Sequence, residues 1–107
     1  MPQNYRIVDG NVNGDAAPAI ELFAAITDKT LSVRNITISN SATAVVAVTI
    51  EQASGDNLIG PIYLAVNATW SSPNFEPGSF RGDVGAAINV LASTSNVITA
   101  SGEAYVS

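Results

Sequence analysis

Cysteine and histidine are both absent from this chain of 107 residues. Without cysteine there is no disulfide scaffold, no zinc–thiolate site and no thiol nucleophile. Without histidine the commonest general base and the commonest metal ligand are missing. A serine nucleophile would need an activating base, and Lys29 is the single lysine. No glycine-rich phosphate-binding motif occurs. We therefore expect a protein that is not an enzyme and that uses neither a cofactor nor a metal.

Charged residues are scarce. They make up 12% of the chain, against about 25% in an average soluble domain. Only four are cationic, Arg6, Lys29, Arg34 and Arg81, and the net charge is −5. Nucleic acids and anionic membrane surfaces both need a basic patch, so we expect neither as a partner. Interface cores are depleted in charge, so the composition is a hint of stable assembly, although drift in a robust β-protein accounts for it equally well.

Long apolar runs are also absent. No run approaches the roughly 20 residues of a transmembrane helix. The first ten residues, "MPQNYRIVDG", show no basic region followed by an apolar one, so we expect no signal peptide there. The length fits one domain over residues 1–107, and residues 1–10 are a candidate N-terminal arm.

The order of turn-forming and apolar residues predicts β-strands along most of the chain. Turn-rich segments separate runs of about 5–10 residues, a spacing typical of a sandwich or barrel. In "TAVVAVTIE" (43–51), Val46, Val48 and Ile50 share one face, and β-branched side chains suit a pleated sheet. We predict a single-domain antiparallel β-sandwich, jelly-roll-like, with about eight strands. The predicted strands lie near 4–8, 19–27, 30–39, 43–53, 57–66, 68–72, 85–92 and 96–106.

The run "TLSVRNITIS" (30–39) changes its alternation halfway. Leu31 and Val33 share one parity, whereas Ile36 and Ile38 share the other. A one-residue shift turns a strand's apolar set to the opposite face, so we predict a β-bulge near Arg34-Asn35 that keeps all four inside.

Residues 17–27, "APAIELFAAIT", fit two structures. Ile20, Leu22, Ala24 and Ile26 alternate as in a strand, but the segment also has helical spacing, with Asp15 as a candidate N-cap. We favour the strand because every other element reads as one.

The segment "DGNVNGD" (9–15) resembles half of a calcium-binding loop. Asp9, Asn11, Asn13 and Asp15 place oxygen ligands at alternate positions, but the twelfth position, which needs a bidentate glutamate, is Ile20. The favoured interpretation is a hairpin turn at Asn13-Gly14.

Aromatic residues cluster in the middle of the chain. They are Tyr63, Trp70, Phe75 and Phe80, and an exposed cluster of this kind could stack on sugar rings or anchor a protein partner. We favour the interpretation in which Trp70 and Phe80 cap the core and Phe75, in the Pro-rich loop, is the exposed anchor. Asn67 begins a glycosylation sequon, which has meaning only in a eukaryotic secretory pathway.

The tripeptide Arg81-Gly82-Asp83 is the adhesion motif that integrins bind when a flexible loop presents it. Here it leads directly into a predicted strand, so we interpret Gly82-Asp83 as a turn. Arg81 is then available to pair with an acid such as Glu76, or with a partner subunit.

Residues 20–104 resemble small virion proteins of tailed bacteriophages, in particular head-decoration (cement) proteins. Two alanines and Gly85 intervene between the Gly-Asp turn and the next strand, which departs from the pattern. The positions that carry the resemblance are Ile36, Ile38 and Asn40, then Gly82-Asp83, Ile88 and Val90, and finally Ser101-Gly102.

The resemblance implies a non-enzymatic structural protein of the virion, assembled in the host cytoplasm. It implies a homotrimer that binds the major capsid protein or other virion proteins and bridges capsid subunits. We expect the partner interface at Trp70, Phe75, Phe80 and Arg81, or at an N-terminal arm around residues 2–8. The alternatives are a carbohydrate- or cell-surface-binding β-module, as in a tail-fibre tip or adhesin, and a calcium-dependent module.

Overall fold

The computed structural model describes residues 6–13, 20–52, 55–93 and 98–107. These ranges contain strands and no helix, which confirms the all-β prediction. In chain order the strands are β1 (Arg6–Asn13), β2 (Ile20–Phe23), β3 (Leu31–Asn40), β4 (Val46–Gln52), β5 (Asn57–Leu64), β6 (Thr69–Ser71), β7 (Ile88–Ala92) and β8 (Ile98–Val106).

The eight strands form two four-stranded sheets that pack as a sandwich. The first sheet has the order β1-β8-β3-β6 and the second the order β2-β7-β4-β5. Every neighbouring pair is antiparallel. Both sheets interleave early and late strands, which is the arrangement of a jelly roll built from two Greek keys. The jelly-roll prediction is therefore confirmed.

One hydrophobic cluster fills the space between the sheets. Its members are mostly β-branched, and burying a Val, Leu, Ile or Phe side chain contributes about 1.5–3 kcal/mol. Strands from both sheets supply fully buried side chains, so neither sheet is stable by itself. These include Val33, Ile36 and Ile38 of β3, Val46, Val48 and Ile50 of β4, Ile88 and Val90 of β7, and Ile98, Ala100 and Ala104 of β8.

The predicted bulge is present in β3. Its register with β8 shifts between Val33 and Asn35, and the side chains of Leu31, Val33, Ile36 and Ile38 are all fully buried. Opposite the bulge lies Gly102, where a Cβ atom would collide with the carbonyl oxygen of Asn35. A glycine is needed there because the bulge brings two backbones unusually close.

The first strand corrects two predictions. Residues 9–13 belong to β1 and pair with β8, so the strand continues past its predicted end at residue 8, and the predicted turn at Asn13-Gly14 falls at the limit of the described residues. Gly10 lies against Leu22 and the ring of Phe23, where a side chain would collide. Residues 6–10 are likewise sheet and not a free arm, whereas residues 1–5 and Gly14 lie outside the described residues.

The second strand is shorter than predicted. It ends at Phe23 instead of residue 27, and it is not helical. Beyond it, Asp28 has a φ of 63°, and the amide of Lys29 donates to the carbonyl of Ile26 at 3.1 Å. A residue in the left-handed region cannot continue a strand, so the chain turns here and crosses to β3.

Asn40, at the end of β3, joins two neighbouring turns. Its side chain is buried, and its amide nitrogen lies 3.1 Å from the carbonyl oxygens of Ala44, Leu64 and Ala65. Its Oδ1 accepts from the amide of Ala42 at 2.8 Å. Residues 41–45 therefore wrap around the Asn40 side chain, which explains why β4 begins at residue 46 and not at 43 as predicted.

Replacing Asn40 with Ala should destabilise the protein by about 1–3 kcal/mol, because the buried carbonyl of Leu64 and two part-buried carbonyls lose their donor. Asn40→Asp should be at least as costly, since a carboxylate keeps the acceptor but loses both N–H donors. Urea unfolding gives the change. Thr43→Ala, at an exposed residue of the same turn, should stay within about 0.5 kcal/mol. Equal effects for Thr43→Ala and Asn40→Ala would contradict this role.

Candidate interaction surfaces

The charged side chains that the structure describes are confined to one end of the sandwich. In the first sheet the boundary of the charged region is the pair Asp9 and Glu103, which lie opposite each other on β1 and β8. In the second sheet the boundary is formed by Glu21 and Glu51, which both lie opposite Asn89 of β7. All four cations and eight of the nine acids lie at or beyond these levels, and the ninth, Asp15, is outside the described residues. We call this the acidic end; it includes the connections 24–30 and 72–87.

The opposite end carries no charged side chain within the described residues. This uncharged end comprises the turns 41–45 and 65–68 and the adjoining strand ends. Two valines are exposed on it, Val45 at 59% and Val66 at 48%. Large apolar side chains without charged neighbours are the composition of an interface core. The sequence signal is visible in retrospect, because residues 35–50 and 57–75 contain no charged residue.

The outer face of the second sheet is also apolar toward the uncharged end. Tyr63 of β5 is 71% exposed and lies opposite Ala47 of β4 in register. Beside it is a shallow depression of about 300 Å³ whose lining is mostly carbon. The lining residues are Ala47, Thr49, Leu91, Ala92 and Ser93. Tyr63 belongs to the aromatic cluster of the sequence, but the predicted interface residues do not include it.

The outer face of the first sheet carries uncharged polar side chains in register. Three adjacent strands each present a hydroxyl, then an inward residue, then a second hydroxyl. In one pair the hydroxyls of Thr37 and Ser71 lie 3.2 Å apart, and in the next Ser39 and Thr69 lie 2.9 Å apart. The two cross-strand rows are Asn11, Ser101, Thr37 and Ser71, and Thr99, Ser39 and Thr69.

Below these rows, Arg34 contacts two side chains of β8. Its guanidinium lies 4.0 Å from Glu103 and 5.8 Å from the ring centre of Tyr105. The side-chain amide of Asn35 donates to Oε1 of Glu103 at 2.9 Å. A partly exposed ion pair contributes at most about 1 kcal/mol, so we interpret this group as local support for the bulge.

The predicted interface aromatics do not form one patch. Trp70 lies on β6 opposite Ile38 and packs against the core, half-buried. Phe75 and Phe80 meet edge to face with centroids 4.8 Å apart, in the connection 72–87 at the acidic end. Phe80 and the following Arg81 are exposed, whereas Phe75 is half-buried and packs against the core, so the predicted roles of the two phenylalanines are wrong. The assignment of these four residues to a partner interface stays a prediction.

The Arg81-Gly82-Asp83 segment is tied to the sandwich through its backbone. The Gly82 amide donates to the carbonyl of Leu31 at 2.9 Å, and the Asp83 amide donates to Oε1 of buried Gln52 at 2.6 Å. Among the described residues no carboxylate lies within 4.0 Å of Arg81, so the predicted pair with Glu76 does not form. Adhesion motifs need a mobile tip, and this segment is anchored on both sheets.

The described part of the predicted calcium loop does not have the geometry of a calcium site. Asp9 and Asn11 lie on an extended strand that faces outward, and a straight strand cannot wrap its ligands around a cation. Asp15 lies outside the described residues. Within the part of the chain that the structure describes, no three acidic side chains group as a metal site.

Comparisons with known proteins add little. No protein-family model and no curated protein matches the chain. A search of solved structures finds a similar chain in the crystal structure of the T13 IBDV viral particle, with a TM-score of 0.46 and 16% identity. The match covers 97% of this chain and 31% of that one.

In the described ranges no helix has the length and apolar character needed to cross a membrane.

Gln52→Ala should destabilise the fold by about 1–3 kcal/mol, because the part-buried backbone amide of Asp83 loses its acceptor on the buried Gln52 side chain. The same change removes the 3.0 Å bond from Gln52 to Asp56. Thermal or urea unfolding measures the loss. Asp83→Ala is the matched control: its exposed side chain is removed while its backbone amide stays, so the change should lie within about 0.5 kcal/mol. A costly Asp83→Ala with a neutral Gln52→Ala would refute this anchoring.

Proposed function

We propose that this protein is a structural component of a virion, most specifically a decoration protein that stabilises a bacteriophage head by binding across capsid subunits. The observation that carries the proposal is the separation of the molecule into an acidic end and an uncharged end. The jelly-roll fold supports it, because capsid domains are among the recurrent uses of that fold, but so are lectins.

The uncharged end is the proposed capsid-binding surface. Binding removes water from the contacting groups, and an unpaired charge in such a contact carries a large desolvation cost. Exposed Val45 and Val66 lie on an end whose described residues carry no charge, so they avoid that cost and add apolar area. The acidic end would then face the solvent, where its charges favour solubility.

The proposed partners are the major capsid protein or other virion proteins, together with further copies of this chain. We propose a homo-oligomer, with a trimer as the form that the resemblance implies. Each copy then supplies a modest interface, and repetition on a symmetric shell raises the overall avidity. In this role the chain needs no catalytic residue and no cofactor. Its place is the virion, after assembly in the host cytoplasm.

Val66→Lys should abolish binding to capsid shells, because it buries an unpaired ammonium group in the proposed contact. The measurement is co-sedimentation with shells assembled from the major capsid protein of the same genome. The matched control is Val84→Lys, an equally drastic change at a 67% exposed valine of the acidic end. It should leave binding intact.

Two outcomes would overturn this assignment. Binding that Val84→Lys abolishes and Val66→Lys spares would move the contact to the acidic end, where Phe80 and Arg81 lie. Wild-type protein that never sediments with the shells would count against decoration altogether. Unchanged melting of both variants is needed, and their exposed positions make it the expected result.

The hydroxyl rows of the first sheet favour a second candidate function, binding of a neutral carbohydrate. Each serine or threonine hydroxyl both donates and accepts, as sugar hydroxyls do. Successive strands lie about 4.8 Å apart, so a row of four spans roughly 14 Å and offers repeated contacts to a glycan chain. The sheet twists from strand to strand, which suits a flexible chain better than a rigid crystalline plane.

Thr37→Glu tests this candidate at the centre of a row. A carboxylate accepts but does not donate, so binding to a neutral polysaccharide should weaken by roughly tenfold. Affinity electrophoresis in gels containing soluble neutral glucans measures it, and Thr43→Glu, outside the rows, is the control. Wild-type mobility that is unaffected by any glucan would eliminate the candidate. Trp70→Ala is a poor test, since Trp70 packs against the core.

A further inference from the structure

Tyr63 is the most exposed large apolar side chain for which the structure gives a value, at 71%. It stands on the outer face of β5, the edge strand of the second sheet. Its neighbours along the strand, Ile62 and Leu64, pack inward, so the ring itself has no support from the core. Tyrosine is enriched among the residues that dominate binding energy at protein interfaces. An aromatic ring held in water on a rigid strand is therefore a candidate anchor.

The same face contains a complementary depression. Small side chains on β4, Ala47 and Thr49, lie between Tyr63 on one side and Leu91 on the other. Together with Ser93 they leave a depression of about 300 Å³, which is large enough for a phenol ring. It lies at the level of Tyr63, because Tyr63 pairs with Ala47 and the amide of Ser93 donates to Ala47.

We propose that two copies of this chain pack through the outer faces of their second sheets, with Tyr63 of each copy seated in the depression of the other. The inference rests on the proposed virion role and names one contact within it. A projecting group and its receptor on one surface are self-complementary. Such a surface forms a closed two-fold contact, in which each copy gives and receives the same side chain.

The arrangement on the sheet fixes the direction of the two-fold axis. Tyr63 and the depression lie at one level along the strands but on different strands. An axis parallel to the strands, between β4 and β5, brings each ring over the other copy's depression. Both uncharged ends then point the same way, so the pair can present two capsid-binding surfaces to one shell.

The same geometry brings like charges together. The described charged residues on this face are Glu21 and Glu51, both at its acidic end. A parallel axis places the acidic ends of the two copies side by side, where their carboxylates repel. Salt screens such repulsion, so the pair should strengthen as ionic strength rises. An interface held by ion pairs would respond in the opposite way.

The first experiment compares native masses by size-exclusion chromatography with light scattering. Tyr63→Ser should halve the mass of the wild-type assembly, and Ala47→Arg, which fills the depression, should do the same. Val84→Ser removes a comparably exposed apolar residue at the acidic end and should leave the mass unchanged. Glu51→Gln should lower the dissociation constant and reduce its dependence on salt. A monomeric wild-type protein, or a mass that neither Tyr63→Ser nor Ala47→Arg alters, would overturn the inference.

The absence of cysteine allows a direct test of the contact. Tyr63→Cys and Ser93→Cys are prepared separately, mixed and oxidised. The inference expects a disulfide-linked mixed dimer in greater yield than either variant forms alone, and no such preference would refute it. Shell binding separates this result from the proposed function. If Tyr63→Ser binds shells normally and the wild type never pairs, the two-fold contact fails and the decoration role stands; if pairing occurs without shell binding, the reverse holds.

Discussion

The central strand of the first sheet, β3, is the constraint on which the rest of the sandwich depends. Its apolar residues change parity halfway, and one bulge turns both halves toward the core. Without that shift, either Leu31 and Val33 or Ile36 and Ile38 would face water, a loss of about 1.5–3 kcal/mol for each side chain. The bulge in turn requires a glycine on β8. Both ends of β3 also bind loops. Asn40, at its C-terminal end, hydrogen-bonds to the surrounding turns, and the carbonyl of Leu31, at its N-terminal end, accepts a hydrogen bond from the amide of Gly82.

The separation of charge follows from this topology. Charged residues in the sequence are scattered, and no long segment is acidic. The jelly roll brings the connections 24–30 and 72–87 to one end and the turns 41–45 and 65–68 to the other. The first pair of connections contains charged residues and the second contains none. A polarity that looks weak along the chain thus becomes strong in space, because alternate connections meet at the same end of the sandwich.

Much of the fold could be predicted from local patterns, because buried strands leave a parity signature in the sequence. The inward faces of β4 and β7 and the bulge in β3 all follow from where Val and Ile stand. The errors fall where a non-local contact decides the structure. Residues 9–13 carry turn-forming Asp, Asn and Gly, yet they are extended because they pair with β8. The glycine at position 10 leaves room for the ring of Phe23. The surfaces were harder still, since a strand face that is exposed to water and one that awaits a partner can have the same alternation. The aromatic cluster of the sequence includes Tyr63, but only the fold places it on an outer face beside the depression.

The acidic end limits how the molecule can assemble. A small domain with exposed valines and a tyrosine risks open-ended association, since apolar patches attract whatever is complementary. The proposed contacts, through the uncharged end and through the part of the second sheet around Tyr63, would gather copies with their acidic ends together. Each added copy brings further like charge to that side, which raises the cost of growth in that direction. A closed, oriented set of copies satisfies the apolar surfaces while it leaves the acidic ends in water, and such a set suits a symmetric shell better than a filament does.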